Sequence, residues 1–292
     1  MKILIAGANG MIGSAVAPYL ASQGHELTRL VRRQASEGEV RWDPDAGSID
    51  AAGLEGLDGV VNVATMPWPM RWNGEAKKKM IANRMSTNGL LARTLAACRR
   101  KPQFLVCASG MGIYPSSGDQ WITEENPTGS DFLANLQCEG EAAAMQANNA
   151  GIRVVNLRIP PVLGGATLHR SMGRIGSGQQ WSSWIGRDEL ASIINFVLLN
   201  DELAGPVNPV SPNPLRNTDF AAIHNRVLGV RSGPAVPAFV IRLMLGEMAT
   251  ALILASRRIE PRKLLDAGYS FRFPDLETAL RHELAELHGE VK

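Results

Sequence analysis

Three cysteines in 292 residues, Cys98, Cys107 and Cys138, stand apart with no C-x-x-C spacing among them. Neither a disulfide framework nor a dithiol redox pair is expected, and the pattern fits a reducing compartment. Five histidines are scattered without H-E-x-x-H or similar ligand spacing, so no metal site is expected. Charge of one sign is lacking too, since 30 Lys and Arg face 28 Asp and Glu for a net +2. The basic runs Lys77-Lys78-Lys79 and Arg99-Arg100-Lys101 read as solvated helix faces or ends, and nothing makes an electrostatic case for nucleic acid. Met1 leads straight into an apolar run without the charged start, hydrophobic stretch and cleavage site of an export signal, so a cytoplasmic location is the expectation. The most hydrophobic stretch, 236–255, approaches spanning length, but Arg242 and Glu247 interrupt it and Gly246 weakens it. A buried or pocket-facing helix starting at Pro237 is the better reading than a membrane segment, with a surface-bound amphipathic helix as the lesser alternative.

What is present is a core and a rhythm. Hydrophobic residues make up 45% of the chain, enough for one large α/β domain or a larger and a smaller lobe. Candidate strands at 2–6, 26–31, 40–42, 59–64, 104–108 and 154–158 alternate with helical stretches near 11–23, 75–98 and 131–150. This is the βαβ pattern of a doubly wound parallel sheet, whose ligand lies outside the carboxyl ends of the strands. Beyond Gly164 the pattern loosens into a Gly/Ser/Trp-rich stretch at 173–186, a short strand near 206–210 and helices near 188–199, 217–228, 237–255 and 275–287. A second, smaller substrate lobe is inferred there.

Directly after the first strand comes Gly7-Ala8-Asn9-Gly10-Met11-Ile12-Gly13, a G-x-x-G-x-x-G turn. Its glycines let backbone N–H groups approach phosphate oxygens with no Cβ in the way, and the following helix, stopped by Gly24, points its N-terminus at the turn. The alternative is a plain tight turn. The second strand ends in Arg32-Arg33, where an NAD binder usually carries a carboxylate for the ribose hydroxyls. Two guanidiniums suit a 2′-phosphate, so NADP(H) is favoured over NAD(H), against the alternative of a solvated basic loop.

Further segments accompany these: Trp42-Asp43-Pro44, Asp58 to Ala64, Arg71-Trp72, Asn83-Arg84, Gly176 to Ile185 and Pro261 to Tyr269. In this order, over nearly the whole length, they resemble the epimerase-like subgroup of the extended or atypical short-chain dehydrogenases/reductases, within the NAD-dependent epimerase/dehydratase superfamily. The resemblance implies a Rossmann domain binding NADP(H), residues 1–163, and a small C-terminal α/β substrate lobe, mainly 164–292, over the nicotinamide end. Segments such as 185–210 can return to the first domain.

In the wider superfamily a Tyr and a Lys four residues apart on one helix carry the proton chemistry. Counting back from Glu141, those positions fall on Leu133 and Gln137. Leu has no proton to give, and Gln137 can hydrogen-bond a ribose hydroxyl but carries no charge to shift a pKa. Cys138, beside Gln137, reads as a packing residue before a nucleophile. The superfamily's Ser/Thr is matched by Ser109, or by Gly110 with a one-residue shift. Tyr114 is the nearest phenol, either a proton donor or a ring packed under the following loop. The subgroup's Gly-Glu after the fourth strand is replaced by Thr65-Met66-Pro67-Trp68-Pro69 following Ala64, and its His after Trp-Ile by Gly186. Val63, Ala64, Pro161 and Val162 are cofactor-side candidates, with Asp43 for the adenine amine or as a turn cap before Pro44. Arg84 replaces the superfamily's structural Asn and reaches the cofactor or an anionic substrate, with a surface salt bridge as the alternative.

Two readings follow from the resemblance: an NADP(H)-dependent oxidoreductase or epimerase acting on a small polar carbonyl or sugar-like substrate, or a nucleotide-binding sensor with little turnover, possessing a link to cell division in some relatives. A membrane-associated protein using 237–255 is a third. A monomer or homodimer is expected.

Overall fold

The computed structural model describes residues 1–66, 71–165, 168 and 170–287. In chain order the elements are β1 (Lys2–Ala6), α1 (Gly13–Ser22), β2 (Glu26–Val31), β3 (Glu39–Asp43), β4 (Ser48–Ile49), β5 (Gly59–Asn62), α2 (Gly74–Ala97), β6 (Phe104–Gly110), β7 (Trp121–Ile122), α3 (Phe132–Met145) and β8 (Arg153–Ile159). There follow β9 (Trp181–Ser182), α4 (Arg187–Leu199), β10 (Gly205–Val207), β11 (Leu215–Arg216), α5 (Asn217–Leu228), α6 (Ala238–Leu245), β12 (Arg258–Ile259), α7 (Arg262–Asp266) and α8 (Leu276–Leu287).

One eight-stranded sheet runs in the order β10-β8-β6-β5-β1-β2-β3-β4. All its pairings are parallel except β3 with β4. Strand β1 shows why two helical layers are needed. Successive side chains point to opposite faces, so Ile3 and Ile5 join a core with Val16 and Leu20 of α1 and Ile194 and Val197 of α4. Leu4 and Ala6 join the opposite core with Leu91 and Leu95 of α2. Near-continuous apolar strands are the expected product of burial on both faces.

The chain winds outward from β1 through β2 and β3 on one side and from β5 through β6 and β8 on the other. The order therefore reverses between β1 and β5, and a crevice opens outside their carboxyl ends. Helix α4 packs on α1, and β10 extends the sheet beside β8, so segment 187–207 lies within the main sheet layers. Outside the sheet, β9 pairs antiparallel with β11, β7 pairs parallel with β12, and α5 packs on α8.

The stretch 237–255 is not one helix. Helix α6 ends at Gly246, whose φ of +60° no β-carbon residue adopts readily, and a separate π-helical turn spans Ala249–Ile253. The expectation of a buried helix holds for half of it. Ala249 and Ala251 are buried, whereas Phe239, Leu243 and Met244 of α6 are exposed. No described helix is long and apolar enough to cross a membrane.

Candidate active site: two ends of one cleft

The glycine turn works by close approach. Gly7 has φ +84°, and a Cβ built on it would lie 2.7 Å from the Ala64 amide nitrogen; one on Gly13 would lie 2.0 Å from the Gly7 carbonyl oxygen. The end of β1, the start of α1 and the end of β5 thus meet at a distance that only glycine permits. Gly10 differs, being exposed at the surface of a cavity of about 590 Å³, with only the Gly7 oxygen, 3.3 Å away, near its would-be Cβ. Its bare backbone keeps the cradle open. Gly10 N–H donates to Gly7 at 2.9 Å and Ser14 N–H to Gly10 at 2.9 Å, while the N–H groups of Met11 and Ile12 make no hydrogen bond among the described residues. Helix α1 has no side-chain cap and no acidic residue in its first turn. Free donors and the positive end of the helix therefore face one cavity.

Val63, Ala64 and Arg32 line the same cavity. The two arginines are not equivalent. Arg32 lies half exposed at the rim, 3.6 Å from Asp45. Arg33 is turned away, its fork held by Glu39 at 2.6 and 2.7 Å with a further bond to the Gln34 carbonyl. The hydrogen bond from Arg33 holds the Glu39 carboxyl below its usual range. Asp43 Oδ1 accepts from the Asp45 and Ala46 amides at 3.1 Å and lines neither end of the cleft, which is the turn-capping position. Asn83 and Thr87, one turn apart on α2, also line the cavity. Their i, i+4 spacing on the helix after β5 was the available signal for them.

Through Met11, Ile12 and Thr65 this cavity meets a second of about 480 Å³, lined by Arg84, Ser109, Gly110, Gln137, Pro161 and Val162, with Leu252 and Ile253 arriving from the C-terminal segments. Pro67, Trp68 and Pro69 lie outside the described residues. Leu133 is fully buried against Gly112. Ser109 donates its hydroxyl proton to Glu141 at 2.7 Å, leaving its oxygen only lone pairs for anything else. Glu141 is held in turn by Arg158 through two bonds of 3.0 Å. Burial works against the Arg158 charge, but the Glu141 contact outweighs it and the guanidinium pKa is raised.

Of the two readings of Tyr114, its geometry matches the packed ring. Its ring is fully buried, its hydroxyl donates to Asn208 at 2.8 Å and accepts from Arg158 at 2.9 Å, and burial pushes its pKa up. It does not line the cavity. Arg84 is likewise no surface salt bridge. It is 9% exposed, and the one hydrogen bond of its guanidinium among the described residues runs to the Ala108 carbonyl at 3.0 Å. Burial draws its pKa down. Gln137 is 2% exposed and lines the cavity, its carboxamide without a hydrogen bond among the described residues. Cys138 packs half-buried against Met111, Ile113 and Tyr114, and burial pushes the Cys107 thiol up to about 12, far from a nucleophile's range. A grouping of Asp188, His282 and Glu286 lies elsewhere, where His282 and Asp188 already hydrogen-bond at 2.8 Å.

Residues 3–175 match the NAD dependent epimerase/dehydratase family. The chain belongs to this family. Residues 236–283 match a domain of unknown function, DUF1731. The human epimerase family protein SDR39U1 is 32% identical over 98% of this chain and 100% of its own length. A crystal structure of that human protein, isoform 2, with NADPH superposes with a TM-score of 0.88 at 31% identity over 97% of this chain and 98% of that one. A nucleoside-diphosphate sugar epimerase from Corynebacterium glutamicum gives a TM-score of 0.82 at 30% identity, covering 98% of this chain and 58% of that chain. The epimerase family protein YfhF of Bacillus subtilis is 30% identical over 98% of this chain and 99% of its own. All three are thus similar to this member of the epimerase/dehydratase family from its glycine turn to its C-terminal segments.

Proposed function

We propose that this epimerase-family protein binds NADP(H) along the cleft and acts as an oxidoreductase or epimerase on a small carbonyl or sugar-like substrate. The observation that carries the reading is the cradle at Gly7, Gly10 and Gly13, where the unbonded Met11 and Ile12 amides and the start of α1 face the cavity that Arg32 rims. NADP(H) supplies or accepts a hydride when bound. The chain's own residues then have distinct tasks. Met11 and Ile12 hold the pyrophosphate, Gly13 keeps α1 close to β1, and Arg32 pairs with the 2′-phosphate. Pro161 and Val162 border the nicotinamide end, and Gln137 orients the ribose or the substrate. Residues 1–163 make up the Rossmann domain and 164–292 mainly the substrate lobe, with α4 and β10 returning to the sheet.

Calorimetric titration with NADPH and NADH tests this reading. NADPH is expected to bind at least about tenfold more tightly, as a charge-assisted fork to phosphate contributes roughly 1.5–3 kcal/mol. Equal affinities would remove the argument from Arg32.

A second reading, a nucleotide-binding sensor with little turnover, is favoured by one observation. Leu133, Gln137 and the inward-turned Tyr114 leave no phenol or ammonium group at the reactive end among the described residues. NADPH binding without oxidation across a carbonyl and sugar-nucleotide panel would select it.

A further inference from the structure

We propose that the reactive end of the cleft is a carboxylate site, and that the molecule converted or sensed there is a small organic acid held by Arg84 and Gln137. The proposal rests on the cofactor reading above and names the substrate class within it.

Arg84 is a buried cation with no paired anion among the described residues. One of its five N–H donors reaches the Ala108 carbonyl, and it forms no ion pair among the described residues. Glu141 is the carboxylate whose charge it feels, yet both Glu141 oxygens are taken by Arg158 and Ser109. Its remaining donors are not enclosed by protein and open on the cavity, where an arriving anion meets a cation already largely stripped of water. The guanidinium is also braced. A Cβ built on Gly140 of α3 would lie 3.5 Å from Arg84 Cδ and 3.6 Å from its Cβ, so the stem lies along the bare helix surface there.

Gln137 supplies the independent observation. It stands one turn before Gly140 on the same helix, is 2% exposed, and leaves its carboxamide without a hydrogen bond in the cavity that Arg84 lines. No unbonded polar atom of either side chain is sealed off, so the free donors of both open on one cavity, where a ligand with acceptor oxygens meets them together. A carboxylate takes two parallel bonds from the Arg84 fork and one more from the Gln137 amide. Ser109 offers no proton toward it, its hydroxyl being directed at Glu141. The cofactor phosphates have their own cavity, lined by the glycine turn, which Arg84 does not line. Met111, Leu133, Leu252 and Ile253 complete the site, so the acid carries a compact apolar body.

The test uses the full chain with saturating NADPH, titrated calorimetrically at neutral pH with 4-methylpentanoate and with 4-methylpentanamide, which differ little but in charge. The acid is expected to bind at least about tenfold more tightly than the amide. Arg84→Gln should abolish that preference, Arg84→Lys should keep part of it, and Gln137→Ala should weaken the acid a few-fold while sparing the amide. Equal binding of acid and amide by the parent protein overturns the proposal. So does an Arg84→Gln variant that loses NADPH affinity while keeping the acid preference, which would assign Arg84 to the cofactor. Should the parent bind no NADPH, the cofactor reading fails by itself, and the same acid and amide titrations on the cofactor-free protein still decide the carboxylate site. If Arg84→Gln does not fold, Arg84→Lys and Gln137→Ala carry the test, and an acid preference undiminished in both overturns it.

Discussion

The two ends of the cleft are built from different materials. At the glycine turn the donors are backbone amides, fixed by a strand, a turn and a helix start that touch at distances set by missing β-carbons. At the other end the polar candidates are side chains, and what each can do depends on what else the fold has given it to hold. Ser109 and Tyr114 are occupied by Glu141, Arg158 and Asn208, whereas among the described residues the Arg84 guanidinium has one bond, to the Ala108 carbonyl, and the Gln137 carboxamide has none. A backbone site is complete when its local geometry is complete. A side-chain site is defined by the bonds its members fail to make.

The largest expected effect falls on the backbone end. Gly10→Val should weaken NADPH at least about 100-fold by filling the cradle, with the circular dichroism spectrum and melting temperature little changed because Gly10 is exposed. Normal NADPH binding by this variant would place the pyrophosphate elsewhere and dissolve the contrast. Arg32→Ala should follow, costing roughly 10–100-fold in NADPH affinity and little for NADH, whereas Arg33→Ala should change either by no more than about twofold, its guanidinium being engaged with Glu39. An equal loss in the two variants would show that Arg33 leaves Glu39 to bind the cofactor.

At the side-chain end the effects should appear in stability. Tyr114→Phe removes a hydroxyl bonded to both Asn208 and Arg158, leaving two buried groups short, and should destabilise the fold by about 1–3 kcal/mol in urea titrations. Carbonyl turnover, where any is measured, should not fall beyond what unfolding explains; a large loss in the folded fraction would restore Tyr114 as an acid. The smallest effect concerns Glu124, which accepts from the Asn208 amide at 3.0 Å and whose carboxyl is pushed above its usual range by burial. A raised acid contributes stability that is complete below the ordinary carboxylate pKa and lost as pH rises through the raised value. Glu124→Gln stays neutral throughout, so it should gain on the parent between mildly acidic and neutral pH. Melting curves at several pH values would show it, and a gap that narrows with rising pH would contradict the sign.

The same contrast explains what could be read in the residues beforehand. β1, the glycine turn and α1 were legible because their signals, β-branched apolar residues, spaced glycines and the Gly24 stop, lie within two dozen positions. The sheet followed from the same alternation. Arg32 and Arg33 were indistinguishable because Glu39, which separates them, arrives by the pairing of β3 with β2. Tyr114 was the nearest phenol along the chain, but Arg158 and Asn208, which take its hydroxyl, stand 44 and 94 positions away. The helical pattern across 237–255 outweighed Gly246, although its left-handed φ is what divides the segment.

The row of hydrogen bonds from Ser109 through Glu141, Arg158 and Tyr114 to Asn208 resembles a proton-conducting path, yet it cannot serve as one. Its middle member is a guanidinium, which donates permanently and releases no proton at physiological pH. Conduction along the row is blocked at Arg158 whichever way the hydroxyls turn. What it does instead is mechanical, joining β6, α3, β8 and the segment after β10 into one strut behind the reactive end. A proton gained or lost in that cavity is therefore not relayed along this row.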